Sequence, residues 1–154
     1  MFYPTIKGTL FLLNNTFIDM HKNETKIRVR YGETDQMGVV YHANYASYFE
    51  VGRTEWLRQY GITYKSMEDD GIMLPVISLE IKYKNSARYD DLLTIKTSIK
   101  NIPKARIEFD YELVNEKGDL LAIGNTVLVF IDMKRNRPTR CPEYLLEKLK
   151  ESTL

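Results

Sequence analysis

Cysteine and histidine are scarce in this chain of 154 residues. Cys141 is the only cysteine, and the two histidines, His21 and His42, lie far apart in the sequence. A single cysteine cannot form an internal disulfide, which favours a reducing compartment. Two distant histidines lack the spacing of zinc ligands. We therefore expect a cytoplasmic protein with no metal site, and nothing in the sequence calls for a cofactor.

Long apolar runs and a strong charge excess are also missing. The longest apolar run near the start, residues 10–13, is too short for a membrane span or a signal-peptide core. The net charge of +1 gives no indication of a nucleic-acid partner or an acidic membrane surface. Hydrophobic residues make up 44% and charged residues 28% of the chain, as in an ordinary globular protein. The length suits one domain.

The first 24 residues differ in pattern from the rest. Short apolar pieces there are followed by a polar run from His21 to Glu24. We interpret residues 1–24 as an amino-terminal extension, within which Met20 is a candidate start of translation. Residues 25–150 are predicted to form the folded domain.

Apolar residues recur with the periods of strands and helices from Thr25 onward. Residues 43–60 carry an apolar stripe at helical spacing, with Gly61 as its stop. Thr63 and Gly71 delimit a shorter helix, and Pro142 opens a C-terminal one that runs through residue 150. Alternating patterns predict strands over residues 25–31, 77–84, 93–100 and 106–113, whereas residues 120–131 are apolar on both faces, as in a central strand.

This order of elements predicts an α+β protein. Short turns between consecutive strands imply antiparallel pairing. One long helix can cover five strands only if the sheet curls around it, which is the arrangement of the hotdog fold: a curved antiparallel sheet wrapped around one long central helix. The open sheet edges favour a symmetric homodimer or homotetramer.

The most informative segment lies just before the long helix. Residues 31–45 read YGETDQMGVVYHANY and continue with Tyr48, Phe49 and Glu50. This motif resembles the signature of the 4-hydroxybenzoyl-CoA thioesterase family, in particular its acyl-CoA thioesterase branch found with the Tol-Pal genes. The resemblance covers residues 25–149 and implies hydrolysis of an acyl-CoA to free acid and CoA.

Asp35 and His42 are the predicted catalytic residues. A thioester carbonyl is attacked most easily when its oxygen lies against free N–H groups at a helix N-terminus, and such amides are expected near His42 and Ala43. Asp35 can fold back toward them through Gly38, as nucleophile or as general base for water. Without the resemblance, such an aspartate is more often a turn or capping residue. The resemblance gives Asp35 the catalytic role and places the carbonyl against the amide of His42.

The neighbours of these two residues have less specific predictions. The His42 side chain either assists with a proton or leaves the task to its backbone amide, and we favour the amide. Tyr41 and Tyr45 are predicted to bind substrate, although Tyr45 also falls on the apolar stripe. Asn44 is predicted to cap the helix. Three charged residues of this region are interpreted as structural: Glu33, Glu50 and Arg53.

The phosphates of CoA require cations near the mouth of the site. By position, the resemblance points to Lys104 and Arg106 at the start of one strand, and to Arg137 and Arg140 after the last. Any one of them alone would be interpreted as a solvated charge at a strand end.

Three alternatives to an acyl-CoA thioesterase stay open. The acyl group can be carried by acyl carrier protein instead of CoA. Hydratases and dehydratases share the fold, but the long motif argues against them. A non-catalytic hotdog interaction module is a third reading, which the intact Asp35 disfavours. The sequence does not identify the acyl chain.

Overall fold

The computed structural model describes residues 16–19 and 21–153, so Met20 and residues 1–15 of the predicted extension lie outside the described part. The strands run in chain order as β1 (Lys22–Arg28), β2 (Ile72–Met73), β3 (Val76–Tyr83), β4 (Leu92–Ile99), β5 (Arg106–Val114), β6 (Leu120–Val129), β7 (Ile131–Asp132) and β8 (Arg137–Pro138). The main helices are α1 (Asn44–Arg58), α2 (Tyr64–Asp69) and α3 (Glu143–Glu151).

These strands form two antiparallel sheets. The larger sheet has five strands in the order β1-β4-β5-β6-β3, and the smaller has the order β2-β7-β8. The predicted α+β class and antiparallel pairing are therefore confirmed. Strand β6 has a neighbour on each side, as its apolar pattern predicts. The smaller sheet was not predicted, because strands of two residues carry no period.

Helix α1 packs on one face of the larger sheet. It contacts β1, β3, β4 and β5, and its side chains Phe49, Trp56 and Leu57 are completely buried. Gly52 allows the close approach, because a Cβ at this position would lie 2.5 Å from Thr97 Oγ1 and 2.7 Å from Ile95 Cγ2. The predicted apolar stripe of the long helix is thus its sheet-facing side.

The ends of the first two helices follow the predicted local chemistry. Gly61 has φ = 73° and donates its N–H to the Arg58 carbonyl just after α1. Thr63 caps α2, with its hydroxyl accepting the N–H of Ser66 at 3.0 Å. Gly71 follows α2 with φ = 83°. These predictions are confirmed.

Part of the predicted extension packs against α1. Residues 16–19 are helical, and β1 begins at Lys22 rather than at Thr25. His21 is completely buried, with Nδ1 lying 2.9 Å from the Tyr60 hydroxyl, and its carbonyl accepts the Trp56 indole N–H at 2.6 Å. None of the helices in the described part of the chain is long and apolar enough to cross a membrane.

Candidate active site

The loop between β1 and α1 doubles back on itself at Gly38. Thr34 and Val40 form an isolated antiparallel bridge, and the Asp35 N–H donates to the Val39 carbonyl at 2.9 Å. Gly38 has φ = 75°, a left-handed conformation that is unfavourable for residues with a side chain. Its N–H donates to the Asp35 carbonyl at 2.9 Å. The loop therefore returns Asp35 toward the start of α1, as the sequence predicts.

Asp35, His42 and Tyr45 line one open cavity of about 230 Å³. Met37, Val39 and Val40 complete the wall contributed by the loop. The opposite wall comes from the end of β3 and the segment after it: Tyr83, Lys84, Asn85 and Ser86. The structure thus brings together the two predicted catalytic residues and one of the two predicted substrate-binding tyrosines.

The Asp35 carboxylate is only partly engaged by the protein. Oδ1 accepts the N–H of Met37 at 2.9 Å, the hydrogen bond of an Asx turn. Among the described residues it has no other hydrogen-bonding or ion-pair partner. The turn role and the catalytic role are therefore compatible, because one oxygen shapes the loop and the other stays available.

Two backbone N–H groups at the start of α1 have no acceptor among the described residues. The N–H groups of His42 and Ala43 have no acceptor in the described part of the chain, whereas the next amide, that of Asn44, donates to the Tyr41 carbonyl at 2.9 Å. Both free amides stand at the N-terminal end of α1, where the partial positive charge of the helix favours an anion. They are chemically suited to stabilise the oxyanion of a tetrahedral intermediate.

The predicted capping role of Asn44 is wrong. Asn44 is itself the first residue of α1, Ala43 occupies the N-cap position, and no side chain caps the helix. The Asn44 side-chain amide instead donates to the Glu33 carbonyl at 2.8 Å, and that carbonyl also accepts the Tyr41 N–H at 2.9 Å. Asn44 therefore ties the helix start to the loop that carries Asp35.

Glu33 anchors the same loop through its side chain. Its carboxylate accepts hydrogen bonds from the backbone N–H and the guanidinium of Arg30, at 2.7 to 2.9 Å, and from the Tyr48 hydroxyl at 2.8 Å. Burial tends to raise the pKa of Glu33, but these hydrogen bonds outweigh it and hold that pKa below the ordinary value. Burial and the bond to Glu33 together raise the pKa of Tyr48. Glu33 thus acts as the structural charge that the sequence predicts.

Glu50, Arg53 and Cys141 do not line the cavity. The Arg53 side chain is buried and donates to the Tyr64 hydroxyl at 3.1 Å, while it pairs with the solvent-exposed Glu50 at 3.4 Å. Burial raises the pKa of the Cys141 thiol to about 12, so this group is not a thiolate nucleophile at neutral pH.

Tyr41 lies at the rim of the site. It is half-exposed, and its ring centroid lies 4.4 Å from that of His42. Its side chain does not line the cavity. The structure thus places Tyr41 beside His42 but outside the set of residues that line the cavity.

The four predicted phosphate-binding cations lie at the other end of the sheet. Arg106 is paired with Val129 of β6, whose N–H donates to the Pro75 carbonyl just before β3. The backbone carbonyl of Lys104 accepts the N–H of Cys141, the residue that follows Arg140. Arg137 belongs to β8. The Asp35 cavity stands at the Tyr83 end of β3, roughly 23 Å along the strand from Val76. Within one chain, the structure does not bring these cations to Asp35.

Tyr83 is the site residue that sequence reasoning missed. Its hydroxyl donates to the His42 carbonyl at 2.9 Å, and its ring meets that of Tyr45 edge-on, with centroids 5.0 Å apart. The sequence shows Tyr83 only as the last apolar residue of a strand. No local signal marks it, because its contact with His42 depends on the register of β3.

A larger groove of about 610 Å³ crosses the outer face of the larger sheet. Its charges compensate one another, for example Lys100 Nζ and Asp110 Oδ2 at 3.0 Å, and it is remote from the free amides. Among the described residues, no group of three or more His, Cys, Asp or Glu side chains could hold a metal ion. We therefore take the smaller cavity at Asp35 as the candidate active site.

Comparison with known proteins identifies the family of this chain. Residues 29–149 match the thioesterase-like superfamily. The putative acyl-CoA thioesterase YneP of Bacillus subtilis is 35% identical over 119 residues, which are 77% of this chain and 86% of that protein. The acyl-CoA thioester hydrolase YbgC of Escherichia coli is 30% identical over 125 residues, 81% of this chain and 93% of that protein.

A solved structure gives the same result. The DHNA-CoA thioesterase from Staphylococcus aureus superposes with a TM-score of 0.77 at 38% identity, covering 86% of this chain and 88% of that one. The hotdog fold that the motif and the element order predict is confirmed. The chain belongs to the thioesterase-like superfamily.

Proposed function

We propose that this chain is an acyl-CoA thioesterase that hydrolyses a thioester to the free acid and CoA. The observation that carries the proposal is that one cavity is lined by Asp35 and by His42, which stands at the start of α1 and whose backbone N–H has no acceptor among the described residues. The names of the relatives YneP and YbgC support the same activity.

The proposed reaction uses Asp35 in one of two ways. The thioester oxygen lies against the N–H groups of His42 and Ala43, which stabilise the negative charge that develops on it. Asp35 either attacks the carbonyl carbon itself or removes a proton from the water that does so. If Asp35 attacks, the C–S bond breaks to leave an acyl-Asp35 anhydride, which water then hydrolyses to the free acid and the Asp35 carboxylate. If Asp35 activates water, the C–S bond breaks to give the free acid directly. In both routes the sulfur leaves as the thiolate of CoA. The His42 side chain is not required by either route.

We further propose that two copies of the chain pair through β3. Among the described residues this strand is hydrogen-bonded to β6 on one side only, so its other edge is open in that part of the chain. Four of its apolar side chains, Val76, Ile77, Leu79 and Tyr83, are 44–50% exposed. An open edge with exposed apolar residues is a template for a second strand. A two-fold axis beside β3 would join two larger sheets into one.

This pairing would give the cations a role. In an antiparallel β3–β3 pair, the Val76 end of one copy lies next to the Tyr83 end of the other. The partner copy would then bring its Lys104, Arg106, Arg137 and Arg140 toward the Asp35 cavity, where they can bind the phosphates of CoA. Tyr41 and Tyr45 would contact the substrate near the thioester.

Four finer points complete the proposal. The single, buried cysteine is compatible with a reducing cytoplasm. The association with the Tol-Pal genes, the role of residues 1–24 as an extension and the assembly of dimers into tetramers stay predictions from the sequence.

The test is a thiol-release assay on a panel of short aliphatic, long aliphatic and aromatic acyl-CoAs, with acyl carrier protein esters in parallel. Appearance of free thiol with CoA esters supports the proposal. Release of thiol only from acyl carrier protein esters would show that the substrate is acyl carrier protein bearing the acyl group, and not acyl-CoA. Hydration of an enoyl-CoA without release of thiol would indicate a hydratase. If neither reaction occurs, the chain would be interpreted as a non-catalytic binding module.

A further inference from the structure

Tyr83 holds the peptide group that offers one of the two free amides. Its hydroxyl donates to the His42 carbonyl oxygen at 2.9 Å. The carbonyl of His42 and the N–H of Ala43 belong to the same planar peptide unit. Among the described residues, the one other donor to this oxygen outside regular helix bonding is the Tyr45 N–H, at a longer distance of 3.4 Å. Tyr83 therefore fixes the plane in which the Ala43 N–H points.

The same hydrogen bond strengthens the amide as a donor. When the oxygen of a peptide group accepts a hydrogen bond, the group polarises and its N–H becomes a better donor. The Ala43 N–H has no acceptor among the described residues, so this added donor strength is free for a ligand bound at the start of α1.

The position of the Tyr83 ring indicates that the hydroxyl is not there for packing. The side chain is 49% exposed, and its ring already has an apolar contact with the buried Tyr45. Removing the hydroxyl alone would leave this contact between the two rings in place. The Tyr83 ring also lines the cavity that contains Asp35.

We infer that Tyr83 is a positioning residue for catalysis, which orients and polarises the 42–43 peptide group so that the Ala43 amide can stabilise the oxyanion. The inference rests on the proposed thioesterase function. It predicts an effect on the transition state and not on substrate affinity, because the charge on the carbonyl oxygen develops only during the reaction.

The experiment compares Tyr83→Phe with wild type and with Tyr89→Phe. Tyr89 is an equally exposed tyrosine, and its hydroxyl has no hydrogen-bonding partner among the described residues. Each protein is assayed with the acyl-CoA that wild type hydrolyses fastest. Binding of a thioether analogue, which lacks the carbonyl, and the melting temperature are measured in parallel.

For Tyr83→Phe we expect kcat to fall by about 5- to 20-fold, less than the loss of an oxyanion donor itself. KM and the thioether affinity should stay within about twofold of wild type, since ground-state binding is untouched. Tyr89→Phe should match wild type in all three measurements.

Unchanged kcat in Tyr83→Phe would overturn the inference while leaving the thioesterase function intact. A raised KM with unchanged kcat would also overturn it, because Tyr83 would then contact the substrate directly. A fall in kcat that is matched by an equal loss of thioether binding or by a large drop in melting temperature would likewise contradict a positioning role. Wild-type protein that releases no thiol would overturn the proposed function and this inference together.

Discussion

At the scale of single residues, the site depends more on backbone than on side chains. Among the described residues, Asp35 is the one acidic side chain that lines the cavity, and the backbone N–H groups of His42 and Ala43 at the helix start have no acceptor. The imidazole of His42 makes no hydrogen bond within the described residues and instead packs against Tyr41. We therefore propose that residue 42 contributes through its backbone N–H at the start of α1.

Replacing His42 by alanine tests this assignment. The amide at position 42 persists in His42→Ala, so kcat/KM should stay within about threefold of wild type. The pH dependence of kcat should also keep its shape, because no imidazole would be exchanging a proton. A fall in kcat/KM of about 100-fold, or a change in the shape of the pH profile of kcat, would show that the His42 side chain donates or accepts a proton in the reaction.

At the scale of elements, Gly52 allows the central helix to lie close to the sheet. Gly52 of α1 lies over Thr97 and Ile95 of β4, with no space for a methyl group. Both of these strand side chains are completely buried, so neither can move aside into solvent. A side chain at position 52 would therefore push α1 away from β4.

Gly52→Ala should destabilise the protein by roughly 1–2 kcal/mol. Overpacking a buried contact costs about 1–3 kcal/mol, of which the better helix propensity of alanine recovers up to about 1 kcal/mol. Urea unfolding measures the difference. Gly32→Ala is the control, because a Cβ at Gly32 meets nothing within 4 Å and this glycine does not have a positive φ. Equal stability of the two variants would contradict the close helix–sheet approach.

His21 joins three elements and makes their packing sensitive to acid. Its ring contacts Phe17, Tyr60 of the segment after α1 and Thr153 after α3. Burial lowers the pKa of His21 below its ordinary value of 6.5. The folded protein thus binds the proton less readily than the unfolded chain, so the contribution of His21 is fully present above pH 6.5 and is lost as the pH falls through the folded-state pKa.

The melting temperature of wild type should therefore fall between pH 7.5 and pH 5.5. His21→Gln, which keeps a hydrogen-bonding side chain but does not titrate, should show a smaller decrease over the same range. His42 is present in both proteins, so its contribution cancels in the comparison. Identical pH profiles for the two proteins would show that His21 is not the responsible group.

What the sequence could predict depended on how local the determining interactions are. Gly61, Thr63 and Gly71 act within one helical turn, so their roles follow from residue type and spacing. The role of Asn44 was predicted wrongly because a competing acceptor, the Glu33 carbonyl, lies eleven positions away in the sequence. Tyr83 was missed for the same reason, since its partner His42 is 41 positions away.

At the scale of the whole molecule, a single chain has its cations and its carboxylate at opposite ends of β3. The sequence suggested both groups but could not reveal their separation, which follows from the strand order β1-β4-β5-β6-β3. A pair of chains joined through β3 would remove the separation. The proposed dimer is therefore a requirement for the complete site and not only a means of covering exposed side chains.

Mixed dimers test this arrangement. One copy carries Asp35→Asn, and the other carries Lys104→Ala, Arg106→Ala and Arg137→Ala. If the cations act across the interface, each mixed dimer contains one intact site. Since random pairing makes half of the dimers mixed, activity at low substrate should recover to about one quarter of the wild-type value.

Two observations would contradict cations acting in trans. The first is a mixture no more active than the average of its two parents, which would place the cations and Asp35 on the same chain. The second is recovery with a control Asp35→Asn copy that also carries Leu79→Lys. A lysine on the open β3 edge should prevent pairing, so this copy should not complement.

The central claim is that Asp35 performs the chemistry, and Asp35→Asn tests it most directly. The substitution keeps the size of the side chain and an oxygen for the Met37 N–H, so the loop should fold as before. With the best acyl-CoA of the panel, we expect thiol release to fall by at least about 100-fold at an unchanged melting temperature, as for the loss of a general base or nucleophile. Thiol release within a few-fold of wild type by the folded variant would remove Asp35 from the mechanism.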